Sequence, residues 1–200
     1  MTVVGICGPS GCGKSSLAKG LTAAFPKSTI IGEGSYHTFP CPPSYEHRDP
    51  RTETPLNVNW DMLVSDIEAA LQNAASSDEL VFIDHYLLLS APERVIEAKL
   101  DLLLFLSADV DTCLRRRIDR NSERSEEEKQ HLGHYYRRAV WPAYRAHTWV
   151  EVGRVKREAS LKVVEIDSGA LSAAQVFEAA LNSIQQKLRS GNGGSAPSAK

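Results

Sequence analysis

Two hundred residues are the length of one ordinary domain and exclude two large ones. With 42% hydrophobic residues the chain can bury one core without disulfides or a structural metal. Lys and Arg total 23 against 25 Asp and Glu, a net charge of -2, which excludes a global basic field for a nucleic-acid backbone and makes any basic chemistry local. There is no apolar run of about 18 residues and no basic, apolar and cleavable N-terminal leader, so the chain reads as soluble and cytoplasmic, with no membrane partner. Cys7, Cys12, Cys41 and Cys113 lack CxxC pairing and zinc spacing, and reduced thiols are expected.

In chain order, short apolar runs predict strands at Thr2–Cys7, Ser28–Ile31, Leu80–Asp84, Leu100–Leu106 and Leu161–Ile166. They are mostly apolar rather than alternating, the pattern of strands buried on both faces of a parallel sheet. Leu63, Ile67, Ala70 and Ala74 recur at helical spacing, as do Phe177, Leu181, Ile184 and Leu188, and each set predicts a core-facing stripe. The order strand, helix, strand, loop, helix, strand, helix, strand, two helices, strand, helix predicts an α/β fold with a doubly wound parallel sheet of about five strands. Residues 32–56 hold Pro40, Pro42, Pro43, Pro50 and Pro55 and read as one long loop. The Gly/Ser/Ala-rich residues 190–200 read as a flexible tail after a domain spanning 1–189.

The block Gly8-Pro9-Ser10-Gly11-Cys12-Gly13-Lys14-Ser15, between an apolar strand and a helix, fits the GxxxxGK[ST] phosphate loop of the P-loop NTPase fold. Its glycines let the backbone wrap a phosphate, and the helix N-terminus adds positive potential. Gly8, Ser10, Gly11, Cys12, Gly13, Lys14, Ser15 and Ser16 are therefore the expected ATP-binding residues. Lys14 supplies the full charge and Ser15 a ligand for Mg²⁺. Cys12 fills a variable loop position, although Lys14 and the helix N-terminus could lower its thiol pKa. Asp84 ends the run Val81-Phe82-Ile83 and would face the loop as a Mg²⁺ ligand, or else simply terminate the strand. Arg115, Arg116, Arg117, Arg120 and Arg124 crowd one helix before a polar segment rich in Glu126, Glu127 and Glu128. They suit phosphate oxygens on a mobile lid at about residues 121–131, or a solvated face paired with those glutamates. His131 and His134 lack a third ligand for zinc.

These motifs, with Thr54-Pro55, Asn59-Trp60-Asp61, Phe82-Ile83-Asp84-His85-Tyr86 and Val140-Trp141-Pro142-Ala143-Tyr144, resemble the uridine kinase family, most of all its nicotinamide riboside kinase branch. The resemblance runs from about Val3 to Asp167. It implies a P-loop kinase with a helical lid that transfers the γ-phosphoryl of ATP, with Mg²⁺, to a hydroxyl of a small ribonucleoside-type acceptor. It further implies catalytic roles for Lys14, Asp84 and Arg120, ATP contact by Arg116, acceptor contact by Arg117, and a ribose-diol contact by Glu53. Adenine would lie near Asp167 and Gly169. The family's catalytic Asp falls on Gly34 here, which leaves Glu33 as the candidate base if the strand end bulges. Aromatic base contacts of the nicotinamide riboside branch are missing, with Thr52 and Ser122 in their places, while Tyr36, His37 and Tyr45 lie in the long loop, Tyr36 being the expected acceptor contact. Two alternatives stay open: an ATP-binding, pseudokinase-like protein without transfer, and a kinase of a non-nucleoside alcohol.

Overall fold

The computed structural model describes residues 1–32, 34, 36–40, 42, 44–73 and 79–192. Glu33, Cys41, Ala74 and the tail from 193 onward, all part of the reading above, lie outside the described residues.

Five parallel strands form one sheet in the order β2-β3-β1-β4-β5. They are β1 (Thr2–Cys7), β2 (Ser28–Gly32), β3 (Leu80–Asp84), β4 (Leu102–Ser107) and β5 (Val163–Asp167). Every residue of the central β1 and β3 is buried, which explains their unbroken apolar character. Asp84 is in register with Ile6 of β1 and with Gly32 of β2, so the carboxyl ends of three strands finish together on one edge.

Helices cover both faces. On one, Leu63 and Ile67 of α2 (Trp60–Asn73) and Val152 and Val155 of α6 (Val150–Glu158) pack against Val3, Val81, Ile83, Leu103 and Phe105. On the other, Leu17, Ala18 and Leu21 of α1 (Lys14–Ala24) and Val176, Ala180 and Ile184 of α7 (Ala173–Asn192) pack against Val4, Ile6, Phe82, Leu104 and Ile166. The most buried line of α7 is thus Val176–Ala180–Ile184; Ile184 of the expected stripe lies on it, while Phe177 and Leu188 pack at its margin. The doubly wound arrangement is as expected.

Three elements differ from the sequence reading. No α-helix joins β3 to β4; three 3₁₀ turns at Leu88–Ser90, Pro92–Arg94 and Glu97–Lys99 do. Pro92 blocks helix continuation, and Glu93 and Arg94 hold left-handed φ values of 52° and 55°. Residues 190–192, expected in the tail, continue α7, and Ser190 Oγ donates to the Gln186 carbonyl at 3.0 Å as helical geometry permits. Finally, α3 (Val110–Asp119) leads through a turn into one continuous helical segment from Glu126 to Glu158. That segment comprises α4 (Glu126–Tyr135), α5 (Trp141–Ala143) and α6, joined by π-helical stretches at Tyr136–Val140 and Tyr144–Trp149. Pro142 has no amide hydrogen to give the preceding turn, and the wider π turns on either side absorb that loss. Ser125 and Glu128 close a capping box at its start. Among the described residues, no helix is long and apolar enough to cross a membrane.

Candidate active site

The phosphate loop leaves the carboxyl end of β1 and returns into α1. Gly8, Gly11 and Gly13 have φ of 144°, 94° and 102°, which L side chains rarely adopt. A Cβ on Gly8 would lie 2.2 Å from the Leu106 carbonyl oxygen, and one on Gly11 2.3 Å from that of Cys113. At Gly13 a Cβ would meet nothing within 4 Å, because this glycine faces open space at the head of α1. No side chain caps α1, so its first amides are left for a ligand. Lys14 is buried, and its Nζ donates to the carbonyls of Gly8 at 3.1 Å and Pro9 at 3.2 Å, folding the ammonium across the loop.

This loop is one wall of a cavity of about 850 Å³. Ser10, Gly11, Gly13, Lys14, Ser15 and Ser16 line one side. Asp84 from the end of β3, and Arg116, Arg117 and Arg120 from α3 and its C-terminus, complete it. The structure thus gathers Lys14, Ser15, Asp84 and three of the expected arginines around one space, with Gly32, Gly34 and His37 on the far lip. Arg116 also donates to the Ser168 carbonyl at 2.8 Å and ties α3 to the loop after β5. Arg117 donates to Ser10 Oγ at 2.6 Å. The alternative, in which these arginines pair with the nearby glutamates, is not seen among the described residues: Glu126 pairs with Lys129, while Arg124 donates to the Arg117 carbonyl at 2.9 Å.

A second cleft of about 300 Å³ adjoins the loop, lined by Leu17, Leu171, Val176 and Phe177 beside Cys12, Gly13 and Arg116. It is a largely apolar cleft next to a phosphate cradle. Asp167 and Gly169, expected beside adenine, line a different cleft, and Asp167 Oδ1 caps its own turn by accepting from Gly169 and Ala170 at 2.9 and 3.0 Å.

Other expected residues sit apart from the cavity. Tyr36, expected to touch the acceptor, turns inward: it is buried and its hydroxyl donates to Asp66 at 2.7 Å, which satisfies a phenol that the core covers. Cys12 places its backbone in the loop but its thiol in the core, where burial outweighs Lys14 and raises its pKa, so the expectation of a lowered thiol pKa does not hold. Glu53 ends the turn Pro50–Glu53 and accepts from the Tyr135 hydroxyl at 3.0 Å. Thr52, in contact with the same hydroxyl at 2.8 Å, is buried beside it.

Three residues beside the site were assigned no role by the sequence. Tyr136 is fully buried and donates to the Ser10 carbonyl at 2.6 Å, bracing the phosphate loop from the long helix. His85, next to Asp84, is buried and stacked on Tyr86, and accepts from the Leu87 amide through Nδ1 at 3.1 Å. Burial first, and Lys14 second, push its pKa down to about 3, so it stays neutral behind Asp84. Lys19, one helical turn beyond Ser15, lines the cavity beside Ile30. The helical spacing from Ser15 could have placed it; nothing in the sequence distinguishes Tyr136 from any aromatic core residue.

The donor set fits Mg²⁺ rather than zinc. Asp84 offers one carboxylate and Ser15 one hydroxyl beside an anion cradle, as suits an ion that shares phosphate oxygens and keeps waters. Among the described residues no group of three His, Cys, Asp or Glu could hold a metal by itself.

No family model matches the chain. The uridine kinase of Streptococcus mutans serotype c (strain ATCC 700610 / UA159) is 26% identical over 185 residues, covering 82% of this chain and 86% of that protein. Among solved structures, a fructose transport system kinase candidate from Silicibacter sp. TM1040 superposes with a TM-score of 0.54 at 16% identity, over 73% of this chain and 85% of that one. Deoxyadenosine kinase from M. mycoides with bound dATP matches at a TM-score of 0.48 and 15% identity, over 92% of this chain and 100% of that one. The chain thus has the fold of P-loop kinases and, at 26% identity, is similar to a uridine kinase along most of its length.

Proposed function

We propose that the chain is an ATP-dependent kinase that moves the γ-phosphoryl group of ATP onto a hydroxyl of a small ribonucleoside-type acceptor. The observation that carries this reading is the convergence of Lys14, Ser15, Asp84, Arg116, Arg117 and Arg120 on one cavity at the carboxyl edge of the sheet. Phosphoryl transfer asks a protein mainly for positioning and for stabilisation of charge on the moving group, and that set supplies both. The adjoining apolar cleft suits adenine between the phosphate loop, α7 and the loop after β5. Mg²⁺, if held by Ser15 and Asp84, would supply positive charge to the phosphate oxygens. The acceptor oxygen bonds to the γ-phosphorus as the bond to the β–γ bridging oxygen breaks, ADP leaves, and the hydroxyl proton passes to a base, the role we assign to Glu33. In this reading residues 121–131 are the lid, and its closure brings Arg120 onto the phosphates and excludes water.

Glu53 is assigned to the acceptor's vicinal hydroxyls, since a carboxylate accepts two hydrogen bonds from a cis-diol. A panel of ribonucleosides and other alcohols, assayed for ATP-dependent phosphorylation, tests the reading. Ribonucleosides should be phosphorylated, their 2′,3′-dideoxy forms poorly, and Glu53→Ala should raise the acceptor KM while leaving that for ATP in place. Phosphorylation of dideoxy and ribo forms at equal rates would remove ribose from the account. Gly34, in place of an acidic residue, favours a second reading in which the chain binds ATP without transferring it. ATP binding without product across the whole panel would favour that reading.

A further inference from the structure

Beside the phosphate cavity, on the loop between β2 and α2, the ring of Tyr45 stands among three guanidinium groups. Arg48 lies over it at 4.3 Å, and Arg117 and Arg124 at 5.9 and 5.8 Å. Arg117 also donates to the Tyr45 hydroxyl at 3.3 Å and lines the cavity, so the cluster adjoins the space assigned to the reacting groups. None of the three forms an ion pair among the described residues, whereas Arg51, Arg94, Arg137 and Arg154 all do. Of the carboxylates on the same segment, Asp49 pairs with Arg51 and Glu53 accepts from the Tyr135 hydroxyl. Moreover, the Nε atoms of Arg48 and of Arg117 are buried and make no hydrogen bond. Buried donors normally find partners, and buried cations normally find counter-charges. The other hydrogen bonds of these arginines go to neutral groups, from Arg48 to the Pro42 carbonyl, from Arg117 to Ser10 Oγ and from Arg124 to the Arg117 and Ile118 carbonyls, so three positive charges and two unpartnered donors meet at one phenol without a counter-charge among the described residues.

Three guanidinia held together repel one another, and a site of one sign focuses potential for an incoming anion. Lys14, Ser15, Arg116 and Arg120 already serve the phosphate loop side of the cavity. Arg48 belongs instead to the segment just before the turn that carries Glu53, the residue assigned to the acceptor. We propose that the acceptor carries a negatively charged group, a carboxylate or a phosphate, bound by Arg48, Arg117 and Arg124 in the place that the Tyr45 ring fills. Rotation of Tyr45 about its side-chain bonds uncovers the two Nε donors, and its own hydroxyl can add a third. This rests on the kinase reading above and sharpens its substrate class.

Binding to the full chain loaded with Mg²⁺ and a non-hydrolysable ATP analogue tests the proposal without needing turnover. Two matched pairs are titrated by calorimetry: uridine against 5-carboxyuridine, and methyl riboside against ribose 1-phosphate. In at least one pair the charged member should bind roughly 10- to 100-fold more tightly, the range of a charge-assisted contact. The pair that shows it identifies carboxylate or phosphate as the group. Arg48→Met should remove most of that preference and Arg48→Lys retain part of it, with affinity for the ATP analogue unchanged in both. Equal binding within both pairs, failure of both charged compounds to bind, or a preference that survives Arg48→Met overturns the proposal. An Arg48-dependent preference without phosphoryl transfer from ATP would instead sink the kinase reading and leave the anion site standing.

Discussion

Replacing Tyr136 by Phe isolates the brace between the long helix and the phosphate loop. The hydroxyl donates to the Ser10 carbonyl at 2.6 Å from a fully buried ring, and it neighbours the Cys113 thiol, whose pKa burial raises to about 12. Phe keeps the ring and its packing, so the loss is confined to the hydroxyl's contacts with the Ser10 carbonyl and the Cys113 thiol, with the carbonyl left without this partner. Such a change costs about 1–2 kcal/mol. For a chain of about this size each kcal/mol lowers Tm by roughly 2–4 °C, so thermal unfolding should shift down by about 2–8 °C. The same energy sets a ceiling on the effect at the loop. If the loop relaxes before ATP binds, affinity weakens, at most by a factor of about 30. Turnover at saturating ATP should hold, because Tyr136 touches the back of the loop and not the cavity. Thermal melts and ATP calorimetry on the pair of proteins read both numbers. A variant with unchanged Tm and unchanged ATP affinity would refute the reasoning.

Three further outcomes follow from the same geometry. His85 holds its pKa at about 3 against an ordinary 6.5, so the unfolded chain takes up its proton first. Stability is full above about pH 6.5 and falls by up to about 1.4 kcal/mol per pH unit toward pH 3, and His85→Asn, which keeps an acceptor for the Leu87 amide, should flatten that slope in denaturant titrations. Arg154 pairs with Glu97, Glu151 and Glu158, and Glu97 is buried; Arg154→Met should cost about 3 kcal/mol in chemical denaturation by stranding that carboxylate. Gly34 has no left-handed φ, lines the cavity, and leaves a Cβ free of contacts within 4 Å, so Gly34→Asp should fold normally; with Glu33 as the base, Glu33→Gln should lower kcat about 10²-fold in a steady-state kinase assay, whereas a silent Glu33→Gln and a faster Gly34→Asp would remove that role from Glu33.

The parts of this fold written as periodic apolar runs were legible in the sequence. Val81-Phe82-Ile83 could only be an inner strand, and the glycines of the phosphate loop announced a backbone that L side chains cannot follow. The connection from Leu87 to Leu100 misled because its apolar residues occur at helix-like density, yet Pro92 and two left-handed residues break it into turns. At the site, Lys14, Ser15, Asp84 and the arginines of α3 were readable because they carry charge or a motif at fixed spacing. Tyr36 was misread, since a tyrosine in a long loop gives no sign of whether its hydroxyl faces a ligand or a buried aspartate. Tyr136 was missed for the complementary reason: its value lies in one hydrogen bond to a carbonyl more than a hundred positions away in the chain, and such pairings leave no local pattern.

Lys14 is the residue on which the account turns, a buried ammonium folded across a cradle of glycines at the head of α1. The most direct test incubates the full chain with Mg²⁺ and ATP labelled in the γ-phosphate, together with the acceptor panel, and follows the label into acceptor by chromatography and mass spectrometry. The account predicts labelled acceptor with the wild-type chain and a loss of at least about 10²-fold with Lys14→Ala, whose Tm should stay near that of the wild type. Equal labelling by Lys14→Ala, or ATP binding by the wild type with no label in any acceptor, would contradict it.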